Sequence, residues 1–192
     1  MYSLTQGAKL IELARHSIET FIDKKPLSLE PYREFDSIQG VFVTIKKDGT
    51  LRGEMGFVDA EEPLYKAVVK VARDAAFRDK RFPPIKKEEL FDIEIEMTII
   101  MTKPALMRVL RWEDYIKQIH FGYDGLMIKA GVFSSIMLPQ TAGPDWDTER
   151  MLRQLCISAG LTMDSWKDLS HQVFKFSVQV FAERRGKVIE II

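Results

Sequence analysis

Gly40-Val41-Phe42-Val43-Thr44-Ile45-Lys46-Lys47-Asp48-Gly49-Thr50-Leu51-Arg52-Gly53-Glu54-Met55-Gly56-Phe57 contains two extended runs around a turn signal. β-Branched and aromatic residues fill Val41 to Ile45, Lys47-Asp48-Gly49 supplies turn chemistry, and Thr50 to Phe57 resumes the extended pattern, so the stretch reads as a β-hairpin. Register decides which side chains it displays. A two-residue turn at Asp48-Gly49 would pair Ile45 with Arg52 and Val43 with Glu54, mixing apolar and charged groups on each face. A three-residue Lys47-Asp48-Gly49 loop with Gly49 left-handed pairs Ile45 with Leu51, Val43 with Gly53 and Val41 with Met55, and it separates the faces. The bulged loop is therefore the expected register. It puts Arg52 and Glu54 on one side of the strand, roughly 6.6 Å apart, where a cation and a carboxylate can address one ligand. Gly53 and Gly56 would leave room for close approach.

Outward from the hairpin, the periodicity of Leu4, Ala8, Ile11, Ala14, Ile18 and Phe21 predicts a helix over 4–21. A second helix is expected over 63–77, with Pro63 in its first turn and Arg81-Phe82-Pro83-Pro84 beyond its end. Asp92 to Ile99 alternates, which buries Ile93, Ile95, Met97 and Ile99 and gives Asp92, Glu94 and Glu96 the pattern of a solvated strand face. The second half repeats this grammar. Short strands around Tyr123-Asp124-Gly125 and Lys129-Ala130-Gly131 end at Leu138-Pro139-Gln140, a helix follows over 147–159, and a strand closes the series over 173–181. Hairpin, helix, strand thus occurs twice, and the expected class is α+β with two related, unequal subdomains.

The bulk properties exclude several function classes. Lys plus Arg and Asp plus Glu each number 28, so no global field draws phosphate backbones or an anionic membrane, and nucleic acid is not an expected partner. One cysteine, Cys156, and three scattered histidines offer no metal-ligand spacing. No phosphate-binding glycine loop occurs, and no cofactor is expected. The first 20 residues interleave charge with apolar residues, and no segment is long and apolar enough to span a bilayer. The expectation is a soluble, cytoplasmic chain without a signal peptide.

Gly40-Val41-Phe42-Val43-Thr44, Leu51-Arg52-Gly53, Ala75-Ala76-Phe77-Arg78-Asp79 with Arg81-Phe82-Pro83-Pro84, Asp124-Gly125-Leu126, Leu138-Pro139-Gln140 and Ala159-Gly160-Leu161 form an ordered series along nearly the whole chain. In it the chain resembles the AMME chromosomal-region (AMMECR) family. The resemblance implies one family domain over 1–192. It would comprise a larger subdomain built from both chain ends, a smaller one from the middle, an antiparallel sheet with packed helices in each, and a cleft between them sized for a protein or other large ligand. It implies association with Memo-like and radical S-adenosylmethionine proteins in a modification pathway. It also draws attention to Arg52, Gly53, Glu54, Gly56, Arg81, Phe82, Pro83, Pro139 and Gln140 as binding residues.

The chain departs from the family's LRGCIG signature where cysteine and isoleucine are replaced by Glu54 and Met55. A glutamate cannot act as a thiolate. Cys156, at helical spacing with Leu152 and Leu155, reads as packing. The leading expectation is a binding role as an accessory protein. The alternative is an enzyme of hydrolase or transferase type with Glu54 as general base and Arg52 as electrostatic stabiliser.

Overall fold

A computed structural model describes residues 1–192. Four helices, α1 (Leu4–Ile22), α2 (Leu64–Phe77), α3 (Glu113–Gln118) and α4 (Thr148–Ser158), accompany eight strands. These are β1 (Val41–Lys47), β2 (Thr50–Phe57), β3 (Ile93–Ile100), β4 (Ala105–Leu106), β5 (Asp124–Ala130), β6 (Phe133–Met137), β7 (Gln172–Arg184) and β8 (Lys187–Glu190). The expected order, hairpin then helix then strand, appears as β1-β2-α2-β3 and again as β5-β6-α4-β7. The chain divides into two compact units, residues 1–101 with 179–192, and residues 102–178.

The larger unit orders its strands β2-β1-β3-β7, with β8 also on β7. Its core joins Val41, Val43 and Ile45 of β1 and Ile93, Ile95, Met97 and Ile99 of β3 to the apolar faces of α1 and α2. Ser3 starts α1 with a reciprocal capping box to Gln6. A Cβ on Gly7 would sit 2.3 Å from the Phe181 ring, so a glycine there lets α1 lie close on β7. On α2, Leu64, Ala67, Val68, Val71, Ala72, Ala75 and Ala76 are buried, and its small residues bring the helix backbone close to the hairpin.

In the smaller unit β5 pairs antiparallel with β6 and with the first half of β7, which also holds the two-residue β4. Leu126, Ile128, Met151, Leu152, Leu155, Trp166 and Val173 build its core. Asp147 caps α4 by accepting from the Arg150 N–H at 2.7 Å. At the other end Gly160 takes φ +80°, and the Gly160 and Leu161 amides return to Ile157 and Cys156. This pair of bonds is a Schellman closure. Cys156 is buried in this core, as its helical spacing predicts.

Candidate functional site

The hairpin forms, but its register differs from the expected one. Asp48 (φ +50°) and Gly49 (φ +74°) make a two-residue turn, and Lys47 pairs with Thr50 and Lys46 with Leu51. An Asp-Gly pair satisfies two successive positive φ angles and favours this turn. The mixing of faces that such a turn would cause is removed one step later. Ile45 pairs with Gly53, which leaves Arg52 as the extra residue of a bulge in β2. Beyond it Val43 faces Met55 and Val41 faces Phe57, while Thr44 faces Glu54 and Phe42 faces Gly56.

The bulge separates the two charges expected to work together. Arg52 donates from Nε and a terminal nitrogen to the two Glu89 oxygens at 2.9 and 3.0 Å, and from its other terminal nitrogen to the Pro83 carbonyl at 2.8 Å. Its side chain is 14% exposed and that of Glu89 18%. The hydrogen bonds from Arg52 hold the Glu89 carboxyl below its ordinary range. Arg52 therefore anchors the segment from Pro83 to Glu89, and its guanidinium is turned to Glu89 and Pro83 rather than to Glu54.

Glu54 has its own partners. Its carboxylate accepts from the Thr44 hydroxyl at 2.9 Å and lies 3.8 Å from Arg81. Its backbone faces outward at the edge of the sheet, where β2 ends the strand order. There its N–H donates to Asp79 at 2.9 Å and its carbonyl accepts from Arg81 at 3.2 Å. Asp79 and Arg81 thus supply the acceptor and donor that a neighbouring strand would have offered. Hydrogen bonds from the Arg81 guanidinium first, then from the Arg81 and Glu54 N–H groups, together with the Arg81 charge, lower the Asp79 pKa from 3.8 to about 2. Asp79 raises Arg81 in return.

The glycines are structural. A Cβ on Gly53 would meet the Ala75 carbonyl oxygen at 2.3 Å, and one on Gly56 would enter the Phe42 ring at 2.3 Å. The space expected to receive a ligand is filled by α2 backbone in one case and by a cross-strand aromatic in the other. Arg81 also stands 5.6 Å from the centre of the half-buried Phe82 ring. Arg52, Gly53, Glu54, Arg81, Phe82 and Pro83 consequently form one cluster on the larger unit. Pro139, buried at the start of a short 3-10 turn, and the half-buried Gln140 belong to the smaller unit.

The carboxylates of β3 are not a uniform solvated face. Asp92 is exposed, Glu94 is half-buried, and Glu96 is 2% exposed with Lys46 at 2.9 Å and Arg184 at 2.7 Å. A buried carboxylate persists when cations and hydrogen bonds replace its water, and here they come from the strands on either side. Alternation alone revealed neither cation, because Arg184 is 88 residues away in sequence.

The larger unit also carries an open groove of about 740 Å³. Its walls come from α1 (Arg15, Glu19, Asp23), the β1–β2 turn (Asp48, Gly49), the segment Lys87 to Glu94, and the β7–β8 turn (Arg185, Gly186). Arg15 braces the floor. It contacts both Glu183 oxygens, at 3.0 and 2.5 Å, and the Leu90 and Ile93 carbonyls, each at 2.9 Å. Phe91 stands in this wall with 95% of its surface exposed. Sequence reasoning missed it because Phe91 is in phase with the buried Ile93 and so blends into the core pattern of β3. Arg52, through Glu89, holds the chain immediately before Phe91.

The model of the AMMECR1 family matches residues 11–181 of the chain. Protein MJ0810 of Methanocaldococcus jannaschii is 36% identical over 99% of this chain and 97% of its own length. A protein of Methanothermobacter thermautotrophicus is 38% identical over 94% of this chain and 96% of its own. The crystal structure of the uncharacterized protein PH0010 from Pyrococcus horikoshii is similar with a TM-score of 0.89, at 34% identity and covering 97% of both chains. With a family model matched over most of its length and relatives aligned nearly end to end, the chain belongs to the AMMECR1 family.

Proposed function

We propose that this protein works by binding a protein or other large ligand, as an accessory in a modification pathway, and that the groove beside Phe91 grips a segment of that partner. The observation that carries this reading is an aromatic ring left 95% exposed in the wall of a concavity of about 740 Å³. Exposed aromatics in concave, polar-rimmed surfaces are typical binding anchors. The polar lining is already organised by the Arg15–Glu183 and Asp23–Lys87 ion pairs. A pre-ordered wall lowers the entropy cost of association. The cluster singled out by the signature strand supports this role indirectly, since Arg52 secures Glu89 and with it the base of the Phe91 segment.

Affinity capture with mass spectrometry tests the reading, using wild type, Phe91→Ala and the Arg52→Ala plus Glu54→Ala double variant. Memo-like and radical S-adenosylmethionine proteins are the first partners to assay directly, on the family association. Capture by wild type that is lost with Phe91→Ala, whose fold is unchanged by circular dichroism, is the expected result. An identical captured set for wild type and Phe91→Ala would overturn it.

A further inference from the structure

The strands meet through β7 in one eight-stranded sheet whose edges are β2, β8, β4 and β6, and these four edge strands are treated differently. In the larger unit the outward groups of Glu54 on β2 are taken by Asp79 and Arg81. Strand β8 is four residues long and carries a charge at each end, Lys187 and Glu190. In the smaller unit β4 has only two residues. Strand β6, Phe133-Ser134-Ser135-Ile136-Met137, lies against α4 on one face, where the Ser135 hydroxyl donates to the Leu155 carbonyl at 2.6 Å, but its outer edge has none of these protections. It carries no charge and no proline, pairs with β5 in an unbroken register, and has no strand on its other side. Natural sheets blunt open edges with charge, proline, bulges, brevity or a covering element, so an unblunted edge marks a place where pairing is used.

The turn defines which groups are available. Ala130 pairs with Phe133 around Gly131 (φ +61°) and Val132, a two-residue hairpin. Its closing pair is hydrogen-bonded, so Phe133, Ser135 and Met137 direct their backbone to β5. Ser134 and Ile136 direct theirs away, and both residues are exposed. Val132 and Phe133 beside them are 92% and 48% exposed.

We infer that β6 pairs with β6 of a second copy of this chain, antiparallel about a two-fold axis through Ser135. Ser134 then lies opposite Ile136 of the copy, small against large, and each such pair exchanges both main-chain hydrogen bonds. Ser135 faces Ser135, and Phe133 lies opposite Met137. The register is self-complementary and brings no like charges together. A formal net charge of +0 leaves no long-range repulsion between copies near neutral pH. The same arrangement puts the two Ser135 residues in a non-hydrogen-bonded pair, within the Cα separation a disulfide accepts.

Sedimentation equilibrium over about 1–100 µM gives the direct test. The weight-average mass of the wild type should rise from 22.2 kDa toward twice that value, while Ile136→Lys and Ser134→Pro should stay monomeric. Under mild oxidation Ser135→Cys should form an intermolecular disulfide, and Ser135→Cys combined with Ile136→Lys should not; the only native thiol, Cys156, is buried. Circular dichroism verifies the fold of each variant. A wild type that remains at 22.2 kDa throughout, a dimer that survives Ile136→Lys, or absence of the Ser135→Cys crosslink would overturn the inference.

Discussion

Replacing Asp79 by alanine removes the acceptor that closes the edge of β2, and its effect should depend on pH in a calculable way. In the native chain Asp79 accepts from the Glu54 N–H at 2.9 Å, the Arg81 N–H at 3.0 Å and the Arg81 guanidinium at 2.7 Å. Its side chain is 5% exposed. These contacts lower its pKa from 3.8 to about 2, so the native state binds fewer protons than the unfolded state between those values and stability rises with pH there. At about 1.4 kcal/mol per pH unit, the displacement corresponds to about 2.5 kcal/mol. Arg81 is 53% exposed, and solvent and salt reduce the Coulombic share, leaving about 1.5–2 kcal/mol. That contribution is fully present above pH about 4 to 5 and is lost as the pH falls through about 2. Urea unfolding of wild type and Asp79→Ala from pH 7 down to 2 measures it. With a slope of about 2 kcal/mol per molar, the midpoints should differ by about 1 M at pH 7 and converge toward pH 2. Other carboxylates that titrate in the same range act on both proteins and cancel in the difference. A gap that stays constant across the series, or that is negligible at pH 7, would refute the assignment of Asp79 as the ionised closure of this edge.

Arg52→Ala should destabilise the protein by about 2–3 kcal/mol in urea unfolding, because it leaves the largely buried Glu89 carboxylate without its fork. Arg52→Lys should recover only part of this loss, since a point charge cannot bind both oxygens in parallel. Gly53→Ala should cost at least about 2 kcal/mol, measured by the same denaturation midpoint, because the new methyl meets a backbone oxygen at 2.3 Å rather than a movable side chain. Burial pushes the Cys156 thiol above its ordinary range, and the native protein should therefore react with a thiol reagent only at the rate of unfolding; prompt labelling at neutral pH would contradict the packing of α4.

The elements were legible wherever local chemistry was sufficient. The periodicity that predicts α1 and α2, the Asp147 and Gly160 signals that bound α4, and the alternation of β3 are properties of consecutive residues, and the structure places elements there within a few positions. Three elements escaped. Helix α3 is only six residues long and β4 only two, too short for a period to develop, and β8 follows the end of β7 across a two-residue turn at Arg185 and Gly186.

The candidate site shows where local reading stops. Asp48-Gly49 determined a hairpin by itself, because few residue pairs accept two positive φ angles. The position of the bulge was decided elsewhere. Gly53 had to lie beneath the Ala75 carbonyl and Arg52 had to reach Glu89 and Pro83, and those partners arrive only when α2 and the segment after it pack on the sheet. The sequence by itself determined which residues are capable of the chemistry: a cation at 52, a carboxylate rather than a thiol at 54, an aromatic at 91. Tertiary structure alone decided that Arg52 would anchor a groove wall, that Glu96 would be buried between Lys46 and Arg184, and that Phe91 would be left bare. The physical reason is that helix and strand periods arise from neighbours along the chain, whereas ion pairing, desolvation and exposure depend on groups that only folding brings within a few ångströms.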